Sequence, residues 1–151
     1  MTDRPLIEKR LAIIDTCLAD LRRLARVDRI ESDIRERRFV EHTLQVAIQA
    51  ALDIASHIVS DRRLGEPATN RESFLLLERD GWIPSDLRGR LADMAGFRNV
   101  LVHGYDDVDL GIVRDVAANH LDDLAGFATR VRYTLESKTD ESDATEPQGH
   151  V

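Results

Sequence analysis

Arg98, His103 and Tyr105 fall within eight residues of the stretch FRNVLVHGY, residues 97–105, with Asn99 beside the arginine and aliphatic residues or glycine filling most of the gaps. An imidazole takes up and releases protons near neutral pH. A guanidinium stays charged at any ordinary pH, grips a phosphate through its fork of donors and offsets the charge that builds on the phosphate oxygens. Together, and without a metal, the two groups suit cleavage of RNA by attack of a ribose 2′-OH on its own phosphodiester. Asn99 adjoins the pair, and Tyr105 brings a hydroxyl two residues from His103.

Spacing restricts how these groups can meet. Leu87, Leu91, Met94 and Leu101 form a helical seam whose missing apolar member is position 98, which is arginine. An unpaired charge in a core costs several kcal/mol, on the order of what one fold can spare. Arg98 therefore needs a buried carboxylate such as Asp53 or Asp93, a dimer interface, or a bound anion. At about 100° per residue, an unbroken helix turns His103 about 140° away from Arg98 and returns Tyr105 to the arginine side. Arg98 and His103 meet on one ligand only if the helix ends near His103, where Gly104 and YDDVD suggest a turn, or if two chains pool their side chains.

The elements that must hold this stretch read as helices. Ile7, Leu11, Ile14, Leu18, Leu21 and Ala25 make a 4-3-4-3-4 seam, and a second helix is expected over about 32–60 with Leu44, Ile48, Ala51, Ala55 and Ile58 inside. DRRLGEPATN reads as a loop, Thr69 with Glu72 as a capping box, and RESFLLLERD as a short helix ended by Gly81. The helix carrying Arg98 starts at Pro84 and Ser85. A single last helix is expected through Leu110, Val113, Ala117, Leu121, Leu124, Ala128, Val131 and Leu135. The predicted fold is all-α: an up-and-down four-helix bundle with an additional short helix, occupying 1–136, followed by an acidic tail, 137–151, expected to be disordered.

Composition agrees with one helical domain. Of 151 residues, 42% are hydrophobic but only 5% aromatic, so aliphatic side chains must fill the core. The one cysteine, Cys17, excludes an internal disulfide and is expected in a core or interface. No membrane span and no signal-peptide core are apparent, which points to the cytoplasm. The net charge of −7 is uneven: residues 1–105 carry 17 basic and 17 acidic side chains, and residues 106–151 carry 4 and 11. That argues against a general nucleic-acid coat and leaves room for local positive patches, with Arg35, Arg37 and Arg38 (RERR) and Arg62 and Arg63 as candidates. His42 and His57 lack metal-ligand spacing, His120 reads as packing beside the last seam, and His150 lies in the tail, so neither a metal nor a cofactor is expected.

MAGFRNVLVHGY resembles the signature of the HepT-like toxins of the HEPN superfamily: Arg, four residues, His, one residue, Tyr, preceded by Phe and followed by an Asp-led helix. The resemblance extends to NRESFLLLERDGWIP and covers roughly residues 5–135. It implies a HEPN-like helical fold and a metal-independent RNase toxin acting as a homodimer, with Arg98 and His103 of both copies lining one cleft. By position, Asn99 matches a polar site adjoining the pair. Tyr105 matches the tyrosine to which a partner, an MntA-like nucleotidyltransferase antitoxin, transfers AMP to silence the toxin. Bulky anionic AMP so close to His103 would block RNA and repel its phosphates. The alternative is a non-catalytic module that binds a nucleotide or docks a nucleotidyltransferase; a structural dimer in which Arg98 fixes register is a third reading.

Overall fold

A computed structural model describes residues 3–104 and 107–145, with side chains to residue 138. Its six α-helices are α1 (Arg4–Leu24), α2 (Ile34–Asp61), α3 (Asn70–Arg79), α4 (Ser85–His103), α5 (Leu110–Asn119) and α6 (Leu121–Thr145), with a 3-10 turn at Val27–Arg29. The described residues contain no strand, so the all-α expectation holds.

Helix starts follow the local chemistry. Asp3 accepts the Leu6 amide at 3.2 Å ahead of α1, Asp33 accepts the Arg35 amide at 2.9 Å ahead of α2, and Asp109 accepts the Gly111 amide at 2.9 Å ahead of α5. Each supplies an acceptor to a helix end that otherwise leaves amides unpaired. Thr69 caps α3 through the Glu72 amide at 3.2 Å, and the Glu72 carboxylate reaches back to the Ala68 amide at 2.7 Å. After α3 the chain reverses through Gly81, whose φ of +84° favours glycine.

α1, α2, α4 and α6 supply most of the core, with α1 and α2 making the most extensive pairing. The α1 seam is buried at Ile7, Leu11, Ile14, Leu18 and Leu21; Ala25 is only half-buried, because the helix ends at Leu24. Phe74 and Phe127 are buried edge-to-face with ring centres 6.0 Å apart, and Trp82 fills the end of the core where α3 turns into α4. Each such side chain contributes roughly 1.5–3 kcal/mol by leaving water.

Two expectations need correction. The single last helix is two: the chain leaves helical geometry at His120, where φ is −122° and ψ 9°. His120 Nε2 lies 3.0 Å from Asp115 and its Nδ1 3.8 Å from Asp123, so this histidine bridges the joint between α5 and α6 instead of packing along a continuous helix. Second, no helix end marks the expected boundary at 136/137. α6 continues to Thr145, with no proline before Pro147, and Lys138 reaches within 5.7 Å of the Trp82 ring centre.

Candidate active site

α4 presents the seam predicted for it. Leu87, Leu91, Met94, Ala95 and Leu101 are buried, and Arg98 occupies the same face one turn before the helix ends. Because it lies near the end of the bundle, Arg98 is half-buried: its Nε is shut off from solvent with no hydrogen-bond partner among the described residues. One Nη donates to Asn99 Oδ1 at 3.3 Å.

The carboxylates expected as partners are engaged elsewhere. Asp53 lies 3.8 Å from Arg10 and accepts Gln49 at 2.8 Å, while Asp93 is exposed, 3.5 Å from Arg71. Among the described residues no carboxylate pairs with Arg98. A buried donor without an acceptor costs about 1–3 kcal/mol, and such costs concentrate where a ligand or partner supplies what is missing.

His103 is the last residue of α4 and is exposed. The helix runs unbroken from Arg98 to His103, so the two side chains leave it about 140° apart. The structure brings Arg98 to Asn99 and turns it away from His103, while Asn99, four residues before His103, shares the exposed face with it. Just beyond, the Gly104 amide donates to the Val100 carbonyl at 2.7 Å, and the Gly104 carbonyl accepts the Asp107 amide at 2.9 Å, which closes the turn. A methyl on Gly104 would sit 2.5 Å from the Val100 carbonyl oxygen and 3.0 Å from Val108 Cγ2. Tyr105 lies outside the described residues.

The outer face of α4 next to this end is open. Asn99 and Gly96 are exposed, Val100 is 49% exposed, and a methyl on Gly96 would meet nothing within 4 Å. Beside it, Met94, Phe97, Ile112 and Val116 floor a groove of about 250 Å³ rimmed by Asp93, Asp115 and Asp123.

Several other candidates are resolved as well. No three His, Cys, Asp or Glu side chains among the described residues come together as a metal site. His42 is exposed on α2, and His57, fifteen residues further along the same helix, is half-buried with an unpartnered Nε2 among the described residues. Cys17 is buried, and burial together with the Asp20 charge raises its thiol above the ordinary value, so it is a core residue and a poor nucleophile. No described helix is long and apolar enough to cross a membrane. Arg37 folds back onto the carbonyls of Ile30 and Glu31, whereas Arg35 and Arg38 stay free of any such contact. RERR is therefore not one cluster: Arg35 and Arg38 fall with His42 on one exposed stripe of α2, at spacings of three and four.

Residues 14–131 match the family described as Ribonuclease HepT-like. The chain is 32% identical over 123 residues to the mRNA nuclease HepT of Shewanella oneidensis, covering 81% of this chain and 92% of that one. It is 36% identical over 106 residues to the tRNA nuclease HepT of Aphanizomenon flos-aquae, covering 69% and 72% respectively. Among solved structures, the tri-AMPylated Shewanella oneidensis HEPN toxin in complex with MNT antitoxin superposes with a TM-score of 0.79 at 31% identity, covering 88% of this chain and 99% of that one. With the helical layout and the Arg98–His103 helix end already in place, these matches settle the lineage: this chain belongs to the HepT-like ribonuclease family.

Proposed function

We propose that this protein is the metal-independent endoribonuclease toxin of a toxin–antitoxin pair, silenced by AMP transfer to Tyr105 from an MntA-like nucleotidyltransferase. The observation that carries the reading is Arg98: a guanidinium on a core seam, with no carboxylate among the described residues and one buried N–H unsatisfied, one helical turn from an exposed histidine. A phosphate supplies the missing acceptor.

In this reaction His103 removes the proton from a ribose 2′-OH, and the oxygen attacks the adjacent phosphorus. Arg98 stabilises the charge on the non-bridging oxygens, with Asn99 holding the guanidinium in place. The 5′-oxygen leaves with a proton, giving a 2′,3′-cyclic phosphate and a free 5′-OH. Base and acid are different imidazoles when a homodimer places His103 of each copy at one cleft. The open outer face of α4 and the 140° separation within one chain favour that assembly. The relatives named as mRNA and tRNA nucleases, and the AMPylated toxin bound to its antitoxin, support the substrate class and the silencing scheme.

The test uses the purified chain and bacterial RNA in EDTA. Cleavage is expected, and His103→Ala, exposed and therefore tolerated by the fold, is expected to remove it at least a hundredfold, within the usual range for a lost acid–base group of about 10²–10⁴. Chain co-produced with the nucleotidyltransferase is expected to be inactive and heavier by AMP at Tyr105. Undiminished cleavage by His103→Ala, or AMP on another residue, refutes the corresponding part.

A further inference from the structure

Most arginines of this chain are held by acids. Arg10, Arg22, Arg62, Arg71, Arg88, Arg90, Arg114 and Arg132 each lie within 4 Å of an Asp or Glu. Among the described residues nine arginines have no carboxylate partner: Arg63, Arg79 and Arg130 are scattered, and Arg98 belongs to the candidate site. Arg26, Arg29, Arg35, Arg37 and Arg38, however, fall together just before α2 or in its first turns, and Arg37 is tied to backbone carbonyls. The local acids are spent elsewhere: Asp33 caps α2, Glu36 accepts the Arg26 amide at 2.5 Å, and Glu31 pairs with Arg114 of α5 at 2.9 Å.

Arg35, Arg38 and His42 are exposed at spacings of three and four, within about 60° of one another around α2 and on the far side from buried Val40, Leu44 and Ile48. The stripe also sits at the same end of the bundle as the candidate site. The Arg62–Asp80 and Arg88–Glu78 pairs, at 2.6 and 3.0 Å, place the start of α4 where α2 finishes. The Arg114–Glu31 pair places α5, which follows α4, beside the segment that leads into α2. α4 therefore runs antiparallel to α2. Its rise from Ser85 to His103 is about 27 Å, and the same distance back along α2 from Asp61 reaches the neighbourhood of His42.

We propose that Arg35, Arg38 and His42 form a phosphate-binding track along α2 that holds the RNA strand flanking the bond cut at His103. The assignment rests on the ribonuclease reading above and extends it from the reacting phosphate to its neighbours. Free guanidiniums on a chain of net charge −7 give a polyanion one local place to land, and their phosphate contacts would carry affinity without sequence preference.

The experiment measures binding of a fluorescently labelled, mixed-sequence 30-nucleotide RNA by anisotropy across sodium chloride concentrations, with His103→Ala as the non-cleaving parent. Adding Arg35→Ala and Arg38→Ala is expected to weaken binding at least tenfold and to flatten the slope of log Kd against log salt by roughly 1.4–1.8, the loss of two phosphate contacts. Arg35→Lys with Arg38→Lys is expected to keep most of the affinity. Unchanged affinity and slope in the alanine pair overturn the track while leaving the ribonuclease reading intact, since cleavage by the native chain is scored separately. A parent that binds no RNA, beside a native chain that cuts none, overturns both. An alanine pair that keeps RNA binding and loses capture of the nucleotidyltransferase overturns the track and assigns this face to the antitoxin.

Discussion

At the scale of single residues, Gly104 shows how tightly the end of α4 is built. Its φ of −78° and ψ of −20° suit any residue, so glycine is not needed there for its backbone freedom. It is needed for space, because a methyl would press on the Val100 carbonyl oxygen at 2.5 Å. That oxygen belongs to a rigid helix turn and already accepts the Gly104 amide, so relief has to come from moving residue 104 and with it the flanking His103 and Tyr105. Gly104→Ala is expected to cost about 1–3 kcal/mol, the usual range for overpacking, and to depress RNA cleavage beyond what its stability loss explains. Gly96→Ala, on the same helix with nothing in reach of the added methyl, is expected to gain up to about 1 kcal/mol from helix propensity. Thermal denaturation of the two variants decides; a neutral Gly104→Ala would mean the turn yields. Arg98 was legible as an anomaly because a single seam, 87-91-94-98-101, exposes any misfit. That Asp53 and Asp93 are spent on Arg10 and Arg71 was not legible, because those pairings join different helices and leave no mark in local spacing.

At the scale of elements, periodicity recovered every long helix and missed the one break that keeps register. Ala117 to Leu121 is a step of four, so the apolar pattern passes through His120 as though the helix continued. The overlooked signal was the acidic pair Asp122 and Asp123, which sits in the first turn of α6 and complements a helix start. The polar stretch after Ser137 likewise hid the continuation of α6. The joint where α2 hands over to α3 and α4 is held by Asp80, which accepts Arg62 Nε at 2.6 Å and Trp82 Nε1 at 2.9 Å. Partial burial pushes the Asp80 carboxyl up, but the hydrogen bonds from Arg62 and Trp82 and the charges of Arg62 and Lys138 outweigh it and leave its pKa below the ordinary value. As pH falls, the unfolded chain therefore takes up this proton before the folded one does. The stabilisation is complete above about pH 4, the unfolded value, and is lost as pH drops through the folded value. Asp80→Asn is expected to lower stability at pH 7 by about 1–2 kcal/mol, the scale of a charge-assisted hydrogen bond, and to shrink the difference between pH 7 and pH 3. Trp82, the only tryptophan, reports this joint directly in a urea titration followed by fluorescence. An equal loss for both proteins between those pH values would show that the acid sensitivity arises elsewhere.

At the scale of the molecule, the question is whether one chain holds a complete site. α4 reaches His103 without a break, so Arg98 points along the bundle seam while His103 points out beside the exposed Asn99 and Gly96. In the proposed reaction one phosphate meets both groups, and a second α4 packed against this end of the helix would bring an arginine from one chain to a histidine from the other. The consequence is testable without a structure of the dimer. Arg98→Ala and His103→Ala are each expected to be inactive alone, because each homodimer lacks one of the two groups altogether. Mixed and re-equilibrated, they form a heterodimer in which one chain offers Arg98 and the other His103, so one cross-chain pair is restored. RNA cleavage should then rise above that of both parents in proportion to the heterodimer fraction, and stay well below the native rate, because the mixed dimer keeps one imidazole where the proposed reaction uses two. A site built within a single chain predicts no recovery at any mixing ratio, because each member of the heterodimer would still lack one of its own two groups. Recovery that scales with the heterodimer fraction, followed by native mass spectrometry, would place the catalytic pair across the interface and account for the missing acid partner of Arg98 among the described residues.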